Sequence, residues 1–125
     1  MLQRSSTKEL DRRVHSSYDL VGSKGTTEWV DRYFDMPTKV SSVELYWFDD
    51  TGHGGCRVPQ SWRLLYRDGD QWKPVEGADN YGVNRDQLNH VNFAPVTTHG
   101  LRLEVRLQPK FSGGILQWKI AGTTN

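Results

Sequence analysis

The chain has 125 residues, 16 Lys and Arg against 15 Asp and Glu, a formal charge of +1 and a single cysteine. That length suits one domain able to bury a core without obligatory metals or disulfides, and Cys56 standing alone excludes an intrachain disulfide. The balanced charge offers no basic block to condense onto phosphates or anionic lipid, which argues against nucleic-acid and membrane partners.

The opening MLQRSSTKELDRRV lacks the apolar middle of a signal peptide, and no run of about 18 apolar residues occurs in the chain. Ser5 to Val14 is the one helical pattern, with Ser6 as cap and Glu9 three residues on as its capping-box partner. From Glu28 the period is two. Glu28 to Phe34 is a short strand candidate, and then Val43, Leu45 and Trp47 share one face while Glu44, Tyr46 and Phe48 share the other. Trp62, Leu64 and Tyr66 alternate with Arg63, Leu65 and Arg67, and Asp68-Gly69-Asp70 turns the chain into Gln71 to Val75, a hairpin. His90 to Phe93 is another short candidate. Leu101, Leu103, Val105 and Leu107 alternate with Arg102, Glu104, Arg106 and Gln108, and Leu116, Trp118 and Ile120 repeat the pattern near the carboxyl end. About seven strands separated by Gly, Pro, Asn and Asp turns predict an all-β fold, an antiparallel β-sandwich.

The stretch VELYWFDDTGHGGCRVP at Val43 to Pro59 runs a strand into a glycine-rich loop carrying Asp49, Asp50, His53 and Arg57. A loop of this kind can aim several polar side chains at one ligand from the end of a rigid sheet. If each connection from Trp29 onward reverses the chain, the loops at 49 to 60, 77 to 88 and 108 to 113 fall at one end, joined by Gly22 to Thr27. The other end receives tight connections at Asp35 to Lys39, Asp68 to Gln71 and Pro95 to Gly100. That gathers Asp49, Asp50, His53, Arg57, Tyr81, Asn84, Arg85 and Phe111 into one candidate site.

Each candidate has two readings. Asp49 and Asp50 suit sugar hydroxyls or a cation, and equally a turn that hydrogen-bonds its own backbone. Arg57 can pair with a ligand oxygen or with Asp49 or Asp50 across the loop. His53, between glycines, is exposed and able to touch a ligand, or plain solvent-facing surface. Trp47, Trp62, Trp72 and Trp118 fall at strand positions that suit the core, whereas Tyr46, Phe48, Tyr81 and above all Phe111 are better placed for exposed stacking. Catalytic machinery is not visible: there is no nucleophile elbow, phosphate loop or zinc spacing, and adjacent aspartates are not two carboxylates flanking a glycosidic bond.

GTTEWV at Gly25 to Val30, PTKVSSVELYWFDDTGHGGCRVPQSWRLLYRDGDQWKPV at Pro37 to Val75 and LRLEVRLQPKFSGGILQWKI at Leu101 to Ile120 resemble the galactose-binding-like, discoidin-type β-sandwich appended to bacterial glycoside hydrolases, in particular the carboxyl-terminal module of β-L-arabinofuranosidase-type enzymes. The resemblance implies a jelly-roll sandwich used as a carbohydrate-binding module for oligosaccharide or polysaccharide, with a structural calcium ion in many relatives and ligand loops at one end. It would map ligand contacts onto Asp49, Asp50, His53, Arg57 and Phe111. The chain departs from the family pattern at His53, where Arg is usual, and at Gln117, where Glu is frequent, which puts calcium in doubt.

The resemblance divides the chain into an amino-terminal segment at 1 to 22 unlike the family's opening strand, a sandwich at 23 to 121 and a tail at 122 to 125. Loss of the first strand would leave an unpaired sheet edge through which two copies could pair as a homodimer. The expected function is non-catalytic glycan binding beside a parent glycoside hydrolase domain, secreted or periplasmic with it. The alternative is a structural accessory domain that packs on that catalytic domain through Glu44, Tyr46, Arg102, Glu104 and Arg106.

Overall fold

The computed structural model describes residues 25–124, so the helical pattern at Ser5 to Val14 and the segment 1 to 22 lie outside the described residues. The described chain is all-β and antiparallel: β1 (Thr27–Trp47), β2 (Ser61–Asp68), β3 (Gln71–Pro74), β4 (Leu88–Arg106) and β5 (Ile115–Thr124), in the sheet order β3-β2-β4-β1-β5. The predicted hairpin joins β2 to β3, with Asp68 opposite Gln71.

Five strands stand where about seven were expected because β1 and β4, 21 and 19 residues long, each serve both layers. Residues 27–33 of β1 pair with 100–106 of β4, which also pairs with β2; residues 38–46 pair with 88–98 of β4 and with β5. Asp35 to Lys39 and Pro95 to Gly100 are therefore not turns. The ribbon stays paired at Thr38–Thr98, Lys39–Thr97 and Val40–Val96 while register shifts between Tyr33 and Thr38 and between Val40 and Ser42 let it bend over. Pro37 and Pro95 sit in the stretches skipped by the β1–β4 register, where a missing N–H costs no ladder bond. The Thr98 hydroxyl clips this corner to β2 by donating to the Arg67 carbonyl at 2.7 Å.

Bending stacks the two halves into a sandwich. The Trp47 ring, from the second half of β1, meets Trp62 of β2 edge-on at 5.5 Å between centroids, and Arg32, from the first half of β1, donates to the Trp118 carbonyl of β5. Val30, Leu45, Leu64, Val91, Leu101, Leu103 and Val105 lie between the layers with no exposed surface, each contributing roughly 1.5–3 kcal/mol by leaving water. Trp72 is a correction: its cross-strand partner Arg67 puts it on the outer face of the edge strand β3, half-buried among arginines rather than in the core.

β5 continues past residue 121, where the sequence drew the end of the sandwich: Gly122, Thr123 and Thr124 pair with Val40, Lys39 and Thr38. A Cβ on Gly122 would lie 2.8 Å from the Lys39 carbonyl oxygen and 3.0 Å from methyl carbons of Thr38 and Val40. Backbone cannot swing aside as a side-chain tip can, so Gly122→Ala is expected to destabilise the domain by about 1–3 kcal/mol. An unchanged urea midpoint would show that β5 does not lie against Lys39.

Candidate functional site

Three loops rise from the end of the sandwich opposite the two corners: 48–60 between β1 and β2, 75–87 between β3 and β4, and 107–114 between β4 and β5. The clustering inferred from chain direction is thus observed, because a corner carries the chain to the far layer without moving it to the other end. Loops one and three are zipped together. Phe48 N–H donates to Gly114 O at 2.9 Å, Arg57 N–H to Ser112 O at 3.0 Å and Ser112 N–H to Gly55 O at 2.9 Å, and the Gln108 amide donates to Val58 O at 2.9 Å. The middle loop is hung on the core, since the indole N–H groups of Trp62 and Trp47 both donate to Gly82 O, at 2.8 and 3.3 Å.

Of the two readings open for Asp49, the structure favours the turn. Its side chain is 3% exposed and accepts from Thr51 N–H at 3.0 Å, from the Thr51 hydroxyl and from Val58 N–H at 3.1 Å, with Arg85 Nη1 at 3.5 Å. Burial pushes this carboxyl up, but those hydrogen bonds and the Arg85 charge outweigh it and hold Asp49 below the usual aspartate range. Asp50 is also spent locally: its Oδ1 accepts Cys56 N–H at 2.7 Å, and its carbonyl accepts the N–H groups of His53 and Gly54.

Arg57 closes the same loop on itself. Its Nη1 donates to the carbonyls of Gly54 and Cys56, both at 2.9 Å, and stands 3.6 Å from Asp50 Oδ1. The guanidinium lies over the Phe111 ring, 4.4 Å from its centroid, so the two form one composite plate across loops one and three. Phe111 is delivered there by Lys110, whose φ of 73° is one of two left-handed non-glycine conformations among the described residues; the other, Asp86 at 60°, lies in the middle loop.

Tyr81 and Asn84 share the middle loop but part company. The Tyr81 ring leans on Trp62 at 4.7 Å between centroids, and burial holds its phenol above the ordinary tyrosine range, so it braces the loop instead of offering a free stacking face. Asn84 and Arg85 stay exposed. Their loop is organised by Asn89, a buried residue the sequence pass did not single out. The Asn89 amide nitrogen donates to the carbonyls of Leu45, Asn84 and Gln87 at 3.1 to 3.3 Å, and its oxygen accepts Asn84 N–H at 2.9 Å. An Asn at the edge of an apolar run reads as turn chemistry, which hides this role.

Of the candidates, His53, Asn84 and Arg85 are open to solvent, with the Arg57–Phe111 plate half-buried between the loops. These are donors, acceptors and a flat apolar surface, suited to holding a hydroxyl-rich molecule. The paired carboxylates are turned toward the loop's own N–H groups and do not flank a cleft. Asp49 and Asp50 already accept hydrogen bonds from the chain, and among the described residues no group of three or more His, Cys, Asp or Glu converges. The proposed packing surface also divides: Glu44 and Tyr46 alternate with buried Val43 and Leu45 in one layer, and Arg102, Glu104 and Arg106 with Leu101, Leu103 and Val105 in the other, so the two sets point out of opposite sides of the sandwich.

No family model matches the chain. Among solved structures, a chain from work on the Streptococcus pneumoniae β-galactosidase BgaA is similar over 83% of this chain and 78% of that solved chain, with TM-score 0.66 and 18% identity. Chitosan-binding module 1 of a Paenibacillus chitosanase/glucanase matches 86% of this chain and 84% of its own at TM-score 0.59 and 14% identity. The family 32 carbohydrate-binding module of Streptococcus pneumoniae EndoD matches 79% of this chain and 72% of its own at TM-score 0.58 and 20% identity. At such identities the likeness is one of fold, and that fold is the β-sandwich of carbohydrate-binding modules.

Proposed function

We propose that this chain is a non-catalytic carbohydrate-binding module that holds a glycoside hydrolase, of the β-L-arabinofuranosidase type, against plant-type polysaccharide, secreted or periplasmic with that enzyme. The observation that carries this reading is the loop end itself: cross-linked loops that expose His53, Asn84 and Arg85 also carry the Arg57–Phe111 plate. Side-chain amide, imidazole and guanidinium groups exchange hydrogen bonds with sugar hydroxyls, and the Phe111 ring face away from the guanidinium takes the C–H face of a pyranose. The solved modules of the same fold, named for chitosan or carbohydrate binding, support the same reading.

Sugars trade water hydrogen bonds for protein ones with small net gain, so dissociation constants of about 1 μM to 1 mM are expected. Affinity electrophoresis through the neutral glycans xylan, arabinan, xyloglucan and β-glucan identifies the ligand of the loop end. Arg85→Ala removes an exposed side chain whose single ion pair is long, and Phe111→Ala removes the plate. Each is expected to weaken retention at least tenfold, Arg85→Ala with the unfolding midpoint close to wild type. Full retention in both variants would move the site away from these loops, and retention on no glycan would leave the chain a structural accessory of its catalytic domain.

A further inference from the structure

The outer face of β1, β4 and β2 carries a second set of side chains that the loop end does not use. Cross-strand register lines them up in rows: Thr27, Arg106 and Ser61 in the first, then Trp29, Glu104 and Arg63, then Asp31 and Arg102. Neighbouring strands lie about 4.8 Å apart and successive rows roughly 6.6 Å apart. Trp29 keeps 52% of its surface exposed and Tyr33 41%, although Val30 between them is fully buried. Rings left open along one face of a strand that buries its other face mark a contact surface.

The face is built rather than incidental. Tyr33 and Trp72 meet edge-on at 6.1 Å across Gly100, where a Cβ would stand 3.2 Å from the Tyr33 ring and 3.5 Å from Trp72. Arg102 is held by both oxygens of Asp31, at 2.7 and 2.9 Å, with its guanidinium 4.4 Å from the Trp72 ring centroid. Glu104 holds Arg63 in the same paired manner, at 3.0 and 3.2 Å. Arg106 is exposed, and among the described residues its side chain makes no hydrogen bond or ion pair, while its carbonyl accepts the Gln60 N–H at 2.8 Å. It borders a recess of about 220 Å³ lined also by Thr27, Ser61, Trp62, Arg63 and Glu104. With Arg63, Arg67, Arg102 and Arg106 against Asp31 and Glu104, the face is net positive.

We propose that this face is a second glycan site, selective for acidic polysaccharide, in which a uronate carboxylate pairs with Arg106 at the recess while the sugar ring lies on Trp29. The guanidinium fork matches a carboxylate through two parallel hydrogen bonds. Ser61, Thr27 and Glu104 supply hydroxyl partners, and the chain of rings continues over Arg102 toward Tyr33. A small concave recess lined by hydroxyls beside an open indole suits a sugar ring better than a flat acidic protein surface. The inference rests on the carbohydrate reading above and differs from it in place and in the charge of the ligand.

The test is affinity electrophoresis of the full chain through polygalacturonate and through its uncharged methyl ester. Retention on the acid form, weakened by added salt and by esterification, is expected, with at least a tenfold loss in Arg106→Gln and Trp29→Ala and none in Phe111→Ala. Arg106→Gln alters one exposed side chain and decides the matter even if Trp29→Ala unfolds. Wild-type retention in Arg106→Gln, equal retention on acid and ester, or loss of acid binding in Phe111→Ala overturns the inference. Retention on neutral glycans but not on polygalacturonate overturns it while leaving the loop-end reading intact, and retention on neither overturns both.

Discussion

Trp62→Ala is expected to cost about 3–5 kcal/mol of stability, a large share of the roughly 5–15 kcal/mol available to a domain of this size. Trp62 is 4% exposed and joins three parts of the molecule. Its ring packs edge-on against Trp47 from the opposite layer, its other neighbour is Tyr81, and its N–H holds Gly82 of the middle loop. Trp62→Phe separates these roles. It keeps an aromatic ring between the layers but loses the indole N–H; because Trp47 also donates to Gly82 O, the orphaned carbonyl retains one partner and the added cost of the lost bond is about 1 kcal/mol. Urea unfolding of the two variants reads both numbers. In Trp62→Ala the Tyr81 phenol, held high by burial, titrates nearer the ordinary tyrosine value. A loss under about 1 kcal/mol in Trp62→Ala would mean that the layers are not locked through this ring.

The strands are legible in the sequence because alternation records which face of a strand is dry. Val43 to Trp47 and Leu101 to Leu107 bury their predicted residues one by one. Bending is not recorded that way. Asp35 to Lys39 and Pro95 to Gly100 have the composition of turns, yet the same Gly, Pro and polar residues serve a corner, and only cross-strand pairing tells the two apart. Trp72 obeys strand period within its own run, but the register with β2 decides which face that period addresses. Arg32 shows the converse: it shares the inward face with Val30 and Phe34 and is 1% exposed, stacked by its guanidinium against Trp118 at 5.1 Å. Period groups it with Val30 and Phe34 and so follows them inward once their face is known to be dry, whereas residue type argues against it.

At the loop end, chain direction is sufficient to collect the candidates, since three long connections must leave the same ends of antiparallel strands. It does not say which side chains are already engaged. Whether Asp49 faces a ligand or its own loop depends on where Thr51 and Val58 N–H groups point, a matter of loop conformation that spacing does not encode. The outer face of β1 is the opposite case. Trp29, Asp31 and Tyr33 alternate with Val30, Arg32 and Phe34 plainly enough, but with aromatic residues on both faces the pattern cannot show which side is wet.

Asp49→Asn is expected to cost roughly 2–3 kcal/mol at neutral pH, with a difference from wild type that shrinks in acid. The nearly buried carboxylate receives N–H groups on both oxygens, from Thr51 on one and Val58 on the other. An asparagine offers one oxygen and one NH2, so whichever way it turns, a donor confronts a donor in a loop with little room for water. Because the folded state holds the Asp49 pKa below that of an unfolded aspartate, the stabilisation is present above about pH 4 and is lost as the pH falls through the lower folded value. Urea unfolding of wild type and Asp49→Asn at about pH 7 and about pH 3 measures this, and a difference of the same size at both would show that the carboxylate charge contributes nothing. The variant also bears on binding. Arg85 loses its anionic partner and Val58 its acceptor, so glycan retention at the loop end is expected to fall together with stability, whereas Arg85→Ala lowers retention with little loss of stability. That contrast separates a residue that shapes the loops from one that reaches out of them.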